Sequence, residues 1–102
     1  MDHEITVIEA FELIHSADNL RLVDLRSKEA FAKKSINGFS NVPFADLSNE
    51  LGGFDNRKKT LLLCEDGTKS HQALQLLEAC GYSATVIRGG IKDWLAVIEG
   101  VS

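Results

Sequence analysis

The stretch Cys64-Glu65-Asp66-Gly67-Thr68-Lys69-Ser70 places a cysteine, five residues and a small hydroxylic residue in one short run. A cysteine does chemistry as a thiolate, so the question is what lies around it. Leu61-Leu62-Leu63 precedes it, bounded by polar and charged residues, and reads as a short, fully buried strand of the parallel-sheet kind. After it, Ala73, Leu74, Leu76, Leu77 and Cys80 recur at helical spacing until Gly81 stops the pattern. Cys64 is therefore expected at the carboxyl end of a buried strand, in a tight loop leading into a helix N-terminus. Open α/β sheets bind their ligands there.

That position favours a thiolate. The first turn of a helix carries unpaired N–H groups and the positive end of the macrodipole. Gly67 lets the loop curl around the sulfur, so that several backbone N–H groups converge on one point and form a nest for an anion. The anion can be the thiolate itself, a persulfide or an oxyanion substrate, and Ser70 adds a hydroxyl donor. A loop and a helix start rarely bury a thiol deeply, which argues against Cys64 as a mere packing residue. Cys80 lies on the apolar stripe of the helix and is expected in the core. His71, in the first helical turn, is read first as a solvent-facing residue and second as a group that helps hold the thiolate.

The elements that must position this loop follow in chain order. A short extended segment at 4–6 leads into a helix opened by the capping box Thr6-Val7-Ile8-Glu9, with Val7, Ile8, Phe11 and Ile14 on one face. His15 closes that helix as a surface cation near its C-terminal dipole. A strand over 20–25 ends on Asp24-Leu25-Arg26, again with polar residues at a strand's carboxyl end. Two readings stand for Arg26: a local ion pair with Asp24 or Glu29 that braces the fold, or a place beside the cysteine loop. A short helix at 27–33 ends in the solvated Lys33-Lys34. A strand at 39–42 is stopped by Pro43, and a small helix over 44–51 is closed by Gly52-Gly53. Arg57-Lys58-Lys59 reads as a solvated turn, since three charges do not make a nucleic-acid site. A last strand at 83–87, a turn at Gly89-Gly90 and a helix at 91–98 finish the chain, with Trp94 as a core plug rather than a substrate platform. Strands alternating with helices indicate an α/β layered fold with a parallel sheet.

Composition sets the bounds. One hundred and two residues suit one domain spanning 1–102, and a net charge of −4 gives no reason to expect nucleic acid or anionic membrane as partner. Two cysteines in such different settings do not read as a disulfide framework, and a reducing compartment would keep Cys64 available. No ligand pair has metal spacing, and neither a P-loop nor a dinucleotide fingerprint is present, so no cofactor is expected. No stretch is long enough to span a membrane. Met1-Asp2-His3-Glu4 lacks the basic and apolar regions of a signal peptide, from which a cytoplasmic location is expected.

The cysteine loop resembles the active-site loop of rhodanese-like domains, the single-domain sulfurtransferases. Val23-Asp24-Leu25-Arg26 with Glu29 and Phe31 resembles the first signature of that family. Ile36-Asn37-Gly38 with Asn41-Val42-Pro43 resembles the second. Gly81-Tyr82, then Gly89-Gly90-Ile91 with Trp94, resembles the C-terminal one. Four segments in order over nearly the whole chain make the likeness specific. It implies a rhodanese-like, five-stranded, mostly parallel sheet with helices on both faces. It also implies a catalytic Cys64 and a loop of Glu65, Asp66, Gly67, Thr68, Lys69 and Ser70 that binds substrate, with Asp24 and Arg26 in support. The activity implied is transfer of a sulfane sulfur from a small donor, such as thiosulfate or 3-mercaptopyruvate, to a thiol or protein-cysteine acceptor through a Cys64 persulfide, with no metal or organic cofactor.

Two departures stand out. The family's histidine before the isoleucine of the second signature is Ser35 here, a lost hydrogen-bonding or charged group. The positions after the cysteine, often basic or neutral in active members, are Glu65 and Asp66. Carboxylates beside a thiolate disfavour it and repel a dianionic donor, so thiosulfate activity is expected to be weak, with Lys69 restoring part of the balance. Two other functions compete. A non-catalytic rhodanese-like module would dock a partner and do no chemistry. A cysteine-based phosphatase or arsenate reductase would need an arginine to clamp its oxyanion where this chain has Ser70.

Overall fold

The computed structural model describes residues 3–100. Strands and helices alternate: β1 (Glu4–Ile5), α1 (Val7–Ser16), β2 (Leu20–Asp24), α2 (Lys28–Lys33), β3 (Ser40–Asn41), α3 (Leu47–Glu50), β4 (Lys59–Leu63), α4 (Thr68–Ala79), β5 (Ala84–Ile87) and α5 (Gly90–Asp93). A π-helical turn, Trp94–Ile98, extends α5, and 3-10 turns at Phe44–Asp46 and Leu51–Gly53 flank α3. The sheet expected as mostly parallel is parallel in every pairing, in the order β1-β5-β4-β2-β3.

The longest apolar strand takes the centre. β4 pairs with both β2 and β5, and Leu61, Leu62 and Leu63 are completely buried. Side chains alternate across a strand, so β4 splits its residues between two cores. Leu62 and Cys64 pack with Leu47, Leu51, Ala73, Leu74 and Leu77 on the α3 and α4 face. Leu61 and Leu63 pack with Val7, Ala10, Ile91 and Trp94 on the α1 and α5 face. Helices thus cover both faces, and Trp94, 4 % exposed, plugs the second core as expected. The pleat also sends Cys64 toward the α4 side, where the helix that follows it begins.

Local signals act as the sequence indicates. Thr6 Oγ1 accepts from the Glu9 N–H at 3.1 Å while Glu9 Oε1 accepts from the Thr6 N–H at 2.9 Å, a complete capping box. Ser27 caps α2 through the Ala30 N–H. Arg57 is exposed and pairs with Asp55, in keeping with a solvated turn. Cys80 departs from expectation. It caps the C-terminus of α4 and is exposed, because the helix ends one residue earlier and the buried stripe closes on Leu77.

Candidate active site

The site grows from the end of β4. The Leu25 N–H donates to the Leu63 carbonyl at 2.7 Å, carrying the β2–β4 ladder to the edge of the loop. Beyond it the chain turns at Gly67, whose φ of +103° lies in the left-handed region that L side chains rarely adopt. This turn swings two backbone donors onto the sulfur. The Gly67 N–H meets Cys64 Sγ at 3.0 Å and the Ser70 N–H meets it at 3.3 Å. Donors aimed at sulfur, with the N-terminus of a twelve-residue helix behind them, stabilise negative charge there.

Cys64 is more deeply placed than a loop thiol usually is, only 2 % exposed. It is nonetheless part of the wall of a cavity of about 250 Å³, together with Leu25, Arg26, Ser27, Ala30, Phe44, Glu65 and Lys69. The pleat turns the cysteine inward, into the core that it shares with Leu62 and Leu77.

The other loop residues divide. Glu65 and Lys69 line the cavity, opposite in charge, and the Lys69 ammonium lies 4.9 Å from the centroid of the Phe44 ring, a cation–π contact. Asp66 does not line it. Its Oδ1 accepts from the Thr68 N–H at 3.1 Å, and this hydrogen bond, with a smaller contribution from the charge of Lys92, holds the exposed carboxyl below the usual range. Gly67 supplies the turn and one donor, and Thr68 opens α4 with its N–H on Asp66. Ser70 gives its N–H to the sulfur. Its hydroxyl is fully buried and finds no hydrogen-bond partner among the described residues, an uncommon state for a buried polar group.

The two readings of Arg26 are not exclusive in position, since it both pairs with Asp24 and stands beside the cysteine loop. Asp24 and Arg26 form a buried pair, with Arg26 Nε 3.1 Å from Asp24 Oδ1 and Nη2 2.9 Å from Oδ2, and Nη2 also donates to the Lys34 carbonyl. Arg26 lines the cavity as well, whereas Asp24 is fully buried and is not part of its lining. The sequence placed Asn41 in the second signature but gave it no role. Its side-chain amide donates to the Asp24 carbonyl at 3.1 Å and the Arg26 carbonyl at 2.9 Å, locking the end of β2. An asparagine two residues before the strand-stopping Pro43 was the available signal.

His71 does not touch the sulfur. Its Nδ1 is 2.8 Å from the Gly67 carbonyl oxygen and its Nε2 is 3.0 Å from a carboxylate oxygen of Glu4, which also pairs with Arg88. The ring therefore ties the loop to β1 and to the end of β5. Among the described residues, no group of three or more His, Cys, Asp and Glu side chains is placed to hold a metal ion. Nor is any helix of the described residues long and apolar enough to cross a membrane.

Known proteins share this fold. The family model described as the rhodanese-like domain matches residues 7–97. The chain is 24% identical over 91 residues to the putative sulfurtransferase YtwF of Bacillus subtilis, covering 89% of this chain and 88% of that protein. It is 22% identical over 94 residues to the putative sulfur carrier protein YrkF of the same organism, covering 90% of this chain but 51% of that one, so the chain spans about half of YrkF. Among solved structures, the human single-domain sulfurtransferase TSTD1 superposes with a TM-score of 0.83 at 25% identity, covering 95% of this chain and 98% of that one. With a cysteine loop at the end of the central strand of an all-parallel five-stranded sheet, and a family model matched from residue 7 to residue 97, the chain belongs to the rhodanese-like domain family.

Proposed function

We propose that the protein is a sulfurtransferase that carries sulfane sulfur on Cys64. The observation that carries this reading is the Cys64 sulfur in the wall of the cavity, with the Gly67 and Ser70 N–H groups at 3.0 and 3.3 Å. The thiolate attacks the outer sulfur of the donor. With thiosulfate, a new S–S bond forms to Cys64 while the old one breaks, and sulfite leaves with the electron pair. An acceptor thiolate or cyanide then attacks the outer sulfur of the persulfide and restores the Cys64 thiolate. Such a two-step exchange has ping-pong kinetics. The unpartnered Ser70 hydroxyl supports the same reading, since an added sulfur or an anionic donor at the site offers it an acceptor. Glu65, Asp66, Gly67, Thr68, Lys69 and Ser70 form the donor-binding loop, with Asp24 and Arg26 bracing it.

Glu65 in the cavity wall disfavours a dianionic donor, and Lys69 opposes it, so thiosulfate is a weak donor and a neutral or protein-borne sulfur source a better one. A thiol or a protein cysteine, in a reducing compartment such as the cytoplasm, is the acceptor. The relatives named sulfurtransferase and sulfur carrier are consistent with both halves of the exchange.

The test is the intact mass of the reduced protein after incubation with thiosulfate and, separately, with 3-mercaptopyruvate, beside Cys64→Ser. Gain of one sulfur atom that cyanide removes and the variant lacks supports the reading. No gain with either donor leaves two readings, a site loaded only by a protein partner and a docking module.

A further inference from the structure

We propose that Gly90 is a positioning residue for Cys64, mounting the N-terminus of α5 on the backbone of the cysteine loop. The contacts are all main chain. The Ile91 N–H donates to the Cys64 carbonyl at 2.8 Å and the Lys92 N–H to the Glu65 carbonyl at 3.3 Å, so the first turn of α5 places two of its otherwise unpaired donors on the residues that carry the sulfur. Gly90 makes the approach possible. Its φ is +63°, and a Cβ built there would lie 2.3 Å from the Cys64 carbonyl oxygen and 2.7 Å from the carbonyl carbon and oxygen of Glu65. Real Cβ contacts below 3.0 Å are essentially never seen, and none of these atoms is the movable end of a side chain. Any side chain at 90 therefore pushes the Cys64–Glu65 backbone back by several tenths of an ångström, or lifts α5 off it. Either change re-aims Sγ relative to the Gly67 and Ser70 donors.

Other glycines separate this contact from mere backbone strain. Gly81 also has positive φ, +87°, but a Cβ there meets nothing within 4 Å. Gly81→Ala therefore also carries the penalty of a side chain at positive φ, without touching the site.

The experiment compares Gly90→Ala and Gly81→Ala in a Cys80→Ser background, so that Cys64 is the sole thiol. Each is checked for folding by circular dichroism, for sulfur loading by intact mass, and for the rate of iodoacetamide alkylation as a function of pH. A displacement near 1 Å at a reacting atom costs on the order of a hundredfold, and a shift of several tenths about tenfold. Folded Gly90→Ala should load sulfur about tenfold more slowly and show an altered alkylation pH profile, while Gly81→Ala keeps both and loses only thermal stability. Gly90→Ala within twofold of the parent in both rates overturns the proposal. Should Gly90→Ala not fold, amide exchange in the parent decides. An Ile91 amide as protected as those of β4 supports the mount, and one exchanging like the exposed loop amides refutes it. The loading readout rests on the sulfurtransferase reading, whereas alkylation and amide exchange do not. A parent that takes no sulfur thus counts against that reading while alkylation and amide exchange still decide the proposal.

Discussion

Arg26 lays its guanidinium against the buried carboxylate of Asp24, Nη2 to Oδ2 at 2.9 Å, at the point where β2 ends beside the cysteine cavity. The pair also fixes backbone, since the Arg26 N–H donates to Asp24 Oδ1 at 2.9 Å. Removing one member leaves the other charged and buried without its partner, which costs about 3–5 kcal/mol. Asp24→Ala should lower the urea midpoint accordingly at unchanged m-value. Arg26→Lys should cost a large part of the same amount, because an ammonium cannot reproduce the forked contact.

The two cysteines should be separable by reagent size. Cys80 is exposed at the end of α4, and Cys64 is 2 % exposed in a cavity wall. A bulky maleimide should label Cys80 in the native protein and leave Cys64 untouched until urea is added. Peptide mapping of the labelled protein checks this, and native labelling of Cys64 at a comparable rate would contradict the cavity geometry.

The two acidic residues after Cys64 should not be equivalent. Glu65 lines the cavity, while the Asp66 carboxylate is engaged by the Thr68 N–H. An exposed like-charge contact at about 4 Å is worth on the order of 1 kcal/mol, less in salt. Glu65→Gln should therefore raise kcat/KM for thiosulfate several-fold at low ionic strength, with the gain shrinking as salt is added. Asp66→Asn should change it less than twofold. Lys69→Met should lower it, since the cation in the wall is lost. Equal effects at 65 and 66 would refute this assignment.

Acid stability should carry the mark of three carboxyls. The Thr6 N–H lowers the Glu9 carboxyl below its usual range, Arg57 lowers that of Asp55, and the Thr68 N–H lowers that of Asp66. A carboxyl whose folded pKa is depressed binds protons more weakly when folded. Its contribution is present above the unfolded value, near 4, and is lost as pH falls through the lower folded value. Urea midpoints measured from pH 5 down to pH 2 should fall through this window. Asp66→Asn, which keeps an acceptor for the Thr68 N–H but cannot titrate, should flatten the slope.

The Leu61-Leu62-Leu63 run, the glycine in the loop and the helical stripe after it were enough to place Cys64 at a strand end and a helix start. The capping box at Thr6 and Glu9, the plug at Trp94 and the alternation of strands and helices were likewise legible, because each depends on neighbours within a turn or two of the chain. Contacts between distant segments were not. That Arg26 lines the cavity besides pairing with Asp24, that Glu65 rather than Asp66 faces that cavity, and that His71 reaches Glu4 follow from how the parallel strands come into register. Cys80 shows the limit of periodicity: it keeps the helical spacing, but whether that stripe meets a partner is decided where the packed face ends, at Leu77. Gly90 shows it most clearly. In the chain it is one of two turn glycines, and only the packing of α5 against β4 turns its missing Cβ into the space that the cysteine backbone occupies.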